Sequence, residues 1–162
     1  MKMIVCVSEN FGIGNKGELL FSLPPDMKFF RETTLGKTVV MGRSTLESFP
    51  GGNPLKNRKN IVLTRDSSFS KEGAVVLHSK EEVLKYLAGE NTDDVYVIGG
   101  AQIYSLFKEE CDEALVTKVY EKRECDAFFF DIDSDPSWVI GYQGERLNYE
   151  GLEFSFVKYI KL

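Results

Sequence analysis

Short runs of apolar and β-branched residues recur along the chain at positions 3–7, 38–41, 60–63, 74–77, 95–98 and 114–119. Runs of this length, bounded by glycine, proline and polar clusters, predict buried strands. Helical signals fill the segments between them. Pro24-Pro25-Asp26 opens one helix, because proline suits the first helical turn, and Met27, Phe30 and Leu35 follow at near-helical spacing. Ser79-Lys80-Glu81-Glu82 reads as a capping box, with Val83, Leu84 and Leu87 as the apolar stripe behind it. Residues 44–49 and 102–107 predict two shorter helices.

Strand–helix alternation builds βαβ units, hence an α/β fold with a mostly parallel central sheet of about eight strands and helices on both faces. The end of the chain reads differently. Residues 138–146 and 152–161 alternate apolar and polar positions around Tyr149-Glu150-Gly151, which predicts an antiparallel C-terminal edge. Two segments read as loops: 49–60, rich in Gly, Pro and Asn, and 9–23, which carries three glycines. Long loops in compact domains tend to carry function.

Composition narrows the function classes. With 162 residues, 43% hydrophobic and 28% charged, the chain predicts a single globular domain over 1–162. A net charge of -5 gives no electrostatic reason to expect nucleic acid or an anionic membrane as partner. Any anionic ligand therefore needs local cations. Cys6, Cys111 and Cys125 show no C-x-x-C spacing and leave one thiol over, which fits a reducing, cytoplasmic setting. A single histidine, His78, and no Cys/His cluster argue against a metal site. The N-terminal apolar run is too short for a signal peptide, and no stretch approaches a membrane span. With no heptad or apolar stripe in view, a monomer is the default.

Three strand ends carry phosphate-binding chemistry. Val95-Tyr96-Val97-Ile98-Gly99-Gly100-Ala101-Gln102-Ile103-Tyr104 reads as strand, glycine pair, helix; the glycines allow close backbone approach, and the helix start offers free N–H groups. A tight turn without a ligand reads equally well, and the G-x-G-x-x-G fingerprint is absent. Val39-Val40-Met41-Gly42-Arg43-Ser44-Thr45 and Ile61-Val62-Leu63-Thr64-Arg65 are two further strand exits. In open α/β sheets ligands sit beyond such carboxyl ends, so the three could together hold a dinucleotide. Arg43 and Arg65 suit the extra phosphate of NADP, although Asp66 beside them pulls the other way and either arginine could be a solvated surface charge.

Asp26 sits in the first turn of its predicted helix, where an acid also favours the helix dipole. Phe30, four residues on, shares its face and points to the core. A carboxylate on an apolar face has a raised pKa or a cationic partner.

Taken together, the chain resembles the dihydrofolate reductases end to end. The resemblance rests on Ile13-Gly14, Leu23-Pro24-Pro25-Asp26, the 40–45 segment, Pro54-Leu55 with Arg58, and Ile98-Gly99-Gly100-Ala101 with Tyr104. Thr117 and Asp126-Ala127-Phe128-Phe129 also fall in register. It implies a reductase that moves hydride from NADPH to 7,8-dihydrofolate and is a target of antifolate-type small molecules. Asp26 would bond the pterin amino group and N3 and promote protonation at N5, with Thr117 orienting the carboxylate. Backbone carbonyls near Val5 and Ile98 would face the position of an inhibitor 4-amino group. Leu20, Met27, Phe30 and Leu55 would wall the ring and benzoyl group, with Cys6, Phe21 and Tyr104 also in the substrate site, and Arg58 would hold the glutamate α-carboxylate. For the cofactor, Gly99-Gly100, joined by a cis peptide in this family, would lie beside the pyrophosphate with Thr45 near it. Arg43, Ser44, Thr64 and Arg65 would face the 2′-phosphate. Val7, Ile13, Gly42, Leu63, Ala101, Gln102 and Ile103 would complete that site. Residues roughly 38–89 would form an adenosine-binding subdomain, with His78 at its edge or simply on the surface, and the 9–23 loop would be a lid.

Two positions depart from the family pattern. Phe21 stands where the family has a tryptophan whose indole N–H holds a water near the substrate, and phenylalanine cannot donate. Lys56 replaces a proline two residues before Arg58. Two rival readings remain at this level: a riboflavin-pathway pyrimidine reductase on the same scaffold, and a non-catalytic nucleotide-binding protein.

Overall fold

In the computed structural model, which describes all 162 residues, side-chain alternation along β1 (Lys2–Val7) sends Met3, Val5 and Val7 to one face and Ile4 to the other. Both faces are covered. That is why the strand reads as a continuous apolar run rather than an alternating one. β1 lies between β7 (Val95–Gly99) and β8 (Glu113–Val119), parallel to both. Beyond β7 the parallel array continues through β4 (Thr38–Gly42), β5 (Lys59–Leu63) and β6 (Ala74–Leu77).

Helices α1 (Pro24–Thr34) and α2 (Arg43–Ser48) bring Phe29, Phe30 and Leu46 onto the face of Val39, Met41, Val62 and Ile98. On the opposite face α3 (Lys80–Leu87) and α4 (Ala101–Phe107) place Val83, Leu87, Ile103, Tyr104 and Phe107 against Val5, Val40 and Val97. The α3 cap forms as its sequence requires. Ser79 Oγ accepts from the Glu82 N–H at 3.1 Å, while the Glu82 carboxylate turns one residue further, to the His78 N–H.

The antiparallel end of the sheet is built on β12 (Leu152–Lys161), paired with β8 on one side and with β10 (Trp138–Gln143) and β11 (Leu147–Tyr149) on the other. The full order is β10-β12-β8-β1-β7-β4-β5-β6, with β11 also on β12. The predicted single strand over 138–146 breaks at Gly144. A Cβ there would lie 2.5 Å from the Phe156 carbonyl oxygen, so the chain passes β12 only as glycine.

The 9–23 segment is not the structureless loop its composition suggests. It holds a small hairpin, β2 (Gly12–Asn15) and β3 (Glu18–Leu19), and β2 also pairs with β9 (Ala127–Phe128). Asp126 fastens it twice: its N–H donates to Gly14 O, and its carboxylate accepts from the Lys16 N–H at 3.0 Å. No helix is long and apolar enough to cross a membrane.

Candidate active site

Asp26 occupies the first turn of α1, behind two prolines, and its side chain turns away from its own helix end. The Thr117 hydroxyl, buried on β8, donates to Asp26 Oδ1 at 2.6 Å. Parallel register sets Cys6 of β1 beside Thr117, which brings the thiol to the same carboxylate. Burial pushes the Asp26 carboxyl above its ordinary value, and donation from Thr117 and Cys6 offsets part of that shift. Burial also pushes the Cys6 thiol well up, and the neighbouring Asp26 charge adds to it, so Cys6 is a donor here and not a thiolate.

The residues expected around the substrate ring form a partly apolar wall. Phe30 and Leu55 pack against the cluster that contains Ile98, while Val5 and Ile98 present backbone from adjacent strands. Tyr104 is buried, and its hydroxyl donates to the Ile4 carbonyl at 2.7 Å, which ties α4 to β1 directly behind this wall. Met27, in contrast, stands 63% exposed at the rim. Phe21 packs against the small cluster around Leu23 and Phe154, and the Arg123 guanidinium lies 4.5 Å from its ring centre. Arg123 also donates to the Leu20 carbonyl, so the strap carrying Leu20 and Phe21 is tied from the far side.

Arg58 is pinned at the other end of α1. Its Nε donates to Thr34 Oγ1 at 2.9 Å, Nη1 to the Lys56 carbonyl at 2.9 Å, and Nη2 to the Arg31 carbonyl at 3.2 Å. Replacing proline by Lys56 has therefore not displaced the arginine; the Lys56 carbonyl is one of its anchors. Desolvation and the nearby Arg31 charge lower its pKa somewhat, while the guanidinium stays cationic. It enters no ion pair with an acid, so no carboxylate of the chain compensates its charge.

Beyond the carboxyl ends of β4, β5, β6 and β7 runs an open groove of about 1150 Å³. Predicted residues 42–44, 63–65 and 100–103 all line it. Thr45, Gly99, Val7 and Ile13 do not. Thr45 lies beneath Gly100, whose added Cβ would come within 3.8 Å of its hydroxyl, while Val7 and Ile13 belong to the adjoining core at the cleft. The Gly99-Gly100 peptide is cis, and a Cβ on Gly99 would press on the Tyr104 ring at 3.3 Å. Glycine is required there by conformation and by space.

Residues 78–81, Ser105 and Leu106 also line the groove, and of these the sequence points only to His78. The signal was present in the sequence, since 78–81 follow a strand end as the other lining segments do. His78 is more than a surface residue: its Nδ1 lies 2.8 Å from the Thr64 carbonyl, so that nitrogen carries the proton and Nε2 remains free. Two glycine exits, hydroxyls at Ser44 and Thr64, and the arginines fit a phosphate-rich dinucleotide chemically.

A family model described as "Dihydrofolate reductase" matches residues 1–161 of this chain. A dihydrofolate reductase of Neisseria gonorrhoeae is 36% identical over 159 residues, covering 98% of this chain and 96% of the relative. A bifunctional dihydrofolate reductase-thymidylate synthase of Daucus carota is 35% identical over 99% of this chain, which spans 34% of that longer protein. Among solved structures, a dihydrofolate reductase from Enterococcus faecalis in complex with NADP(H) and RAB-propyl superposes with a TM-score of 0.88. It is 34% identical and covers 99% of this chain and 95% of its own.

Proposed function

The chain belongs to the dihydrofolate reductase family, and on that premise we propose that Asp26 and Thr117 form its proton-side machinery. The protein is an NADPH-dependent dihydrofolate reductase that converts 7,8-dihydrofolate to 5,6,7,8-tetrahydrofolate; neither a pyrimidine reductase nor a non-catalytic nucleotide binder is favoured. The observation that carries the site assignment is the 2.6 Å bond from the Thr117 hydroxyl to the Asp26 carboxylate, a group whose pKa burial raises.

The residues divide the work as follows. Asp26 accepts from pterin N3 and the 2-amino group, and the Thr117 bond fixes which way its oxygens point. An anion held against the ring in a poorly solvated cleft stabilises the cation formed by protonation at N5, so the ring becomes a better hydride acceptor. Backbone of Val5 and Ile98, with Cys6 and Tyr104 behind, lines the pterin edge; Phe30, Leu55, Met27, Leu20 and Phe21 exclude water from the ring and benzoyl group. Arg58 receives the glutamate α-carboxylate, its guanidinium held in advance by Thr34 and by the Lys56 and Arg31 carbonyls. Bound in the groove, NADPH supplies the hydride. Gly99, Gly100 and Thr45 would border its pyrophosphate, Arg43, Ser44, Thr64 and Arg65 would hold its 2′-phosphate, and Val7 and Ile13 would stand toward the nicotinamide end.

Residues roughly 38–89 form the adenosine-binding half of a single unit spanning 1–162. The hairpin within 9–23 is the lid, latched through Asp126. Three free thiols support a cytoplasmic location, and the working form is a monomer. The direct test is loss of NADPH absorbance in the presence of dihydrofolate. Turnover is expected with dihydrofolate and not with a ribosylamino-pyrimidine, and the reverse pattern would reject the substrate assignment.

A further inference from the structure

We propose that Asp66 is a specificity-determining residue: by keeping the Arg43 guanidinium engaged, it weakens the groove's hold on a 2′-phosphate and narrows the preference for NADPH over NADH. This rests on the groove being the site of the adenosine half. Arg43 opens α2 at the edge of the groove, and three neighbours hold it. Its Nη1 lies 3.1 Å from Asp66 Oδ2, its Nε lies 3.3 Å from Glu47 Oε1, and its guanidinium carbon sits 4.1 Å from the centre of the Phe69 ring. Arg65, one residue before the acid and exposed in the same groove, enters no ion pair.

Asp66 is fixed in place rather than swinging on the surface. Its Oδ1 accepts from the Ser68 N–H at 3.0 Å and from the Ser68 hydroxyl at 2.6 Å. Its own N–H donates to Thr64 Oγ1 at 3.2 Å, which ties it to a groove-lining residue. The Ser68 contacts, with help from Arg43, hold its carboxyl below the usual carboxylate range, so it is an anion throughout the neutral range.

A phosphate arriving among Arg43, Ser44, Thr64 and Arg65 therefore meets a carboxylate already bound to one of its two arginines. It must either displace Asp66 from Arg43 or bind beside a like charge, and both weaken the complex. A 2′-hydroxyl meets neither obstacle, and it can donate to the same carboxylate, the arrangement by which acidic residues hold an unphosphorylated ribose. None of this touches Asp26.

The experiment is calorimetric binding of adenosine 2′,5′-bisphosphate and of 5′-AMP to the whole chain, wild type and Asp66→Asn. A kinetic arm compares kcat/KM for NADPH and NADH. Asparagine keeps an acceptor for Ser68 while removing the charge. The expected result is bisphosphate binding about tenfold tighter in D66N, with 5′-AMP unchanged within about twofold and the NADPH/NADH ratio raised to match. Adding Arg43→Ala should abolish that gain. Unchanged or weaker bisphosphate binding in D66N, or an equal gain for both nucleotides, overturns the proposal while leaving the groove assignment intact. Wild-type protein that binds neither nucleotide overturns both.

Discussion

Thr117 and Asp26 lie 91 positions apart in the chain, and the hydroxyl of one donates to the carboxylate of the other at 2.6 Å. The bond spans the gap between β8 and α1. It pulls the Asp26 carboxyl down against the upward push of burial, and it fixes the carboxylate plane. Replacing Thr117 by valine keeps the shape and removes the donor. The pH midpoint of kcat/KM for dihydrofolate should then move up, with roughly a tenfold loss at neutral pH, the usual worth of one hydrogen bond to a charged group. An unchanged midpoint in a pH–rate profile would show that the hydroxyl does not act through the carboxylate.

How much of this was legible beforehand depends on the length scale of the forces. All six apolar runs become strands whose ends shift by no more than one residue, because burial on two faces leaves a continuous pattern. The glycine exits at 42 and 99–100 were equally plain, since the conformation they need is local. Asp26 itself was ambiguous: a first-turn acid looks the same whether it serves the helix dipole or a partner on a distant strand. The hairpin at β2 and β3 was hidden for a related reason. Strands of four and two residues with Gly12, Gly14 and Gly17 in and between them carry no period, and they hold through β9, more than a hundred residues on. Likewise nothing local announces that Arg43 is already engaged by Asp66 and Phe69.

Asp26 should also show in stability. Its folded-state carboxyl titrates above the ordinary value of 3.8. The stability associated with its neutral form is fully present below that ordinary value and is lost as pH rises through the raised one. At pH 7 the ionised, poorly solvated carboxylate is thus a liability. Asp26→Asn is expected to melt higher than wild type at pH 7, by about 2–4 °C for each kcal/mol recovered in a chain of this size. The difference should shrink toward pH 4. A thermal melt series showing D26N less stable at pH 7 would contradict the inferred upward shift.

Arg58 is held by Thr34 and by two backbone carbonyls, so its charge is positioned before any substrate arrives. Arg58→Ala is expected to raise KM for dihydrofolate roughly 10–100-fold with a smaller effect on kcat. A pterin substrate lacking the glutamate should be reduced equally well by both proteins. A parallel loss on the truncated substrate would mean that the arginine shapes the loop rather than reading the carboxylate.

Phe21 cannot hold a water by donation, and the Arg123 guanidinium stacks on its ring. Phe21→Trp restores a donor at the strap and preserves the cation–π contact, since indole is the better partner. Dihydrofolate and diaminopyrimidine inhibitors are expected to bind about two- to tenfold tighter. Weaker binding by a correctly folded F21W protein, measured by fluorescence titration, would mean that the strap has re-formed around phenylalanine.

The central claim is that the Asp26 charge makes N5 protonation possible at neutral pH. Single-turnover hydride transfer, followed in wild type and Asp26→Asn from pH 5 to pH 9, tests it most directly. The expected result is a loss of about 10²–10⁴-fold in D26N at pH 7, with a marked recovery as pH falls and solvent protonates N5 without help. A D26N protein that transfers hydride at the wild-type rate at pH 7, with the same pH profile, would contradict it.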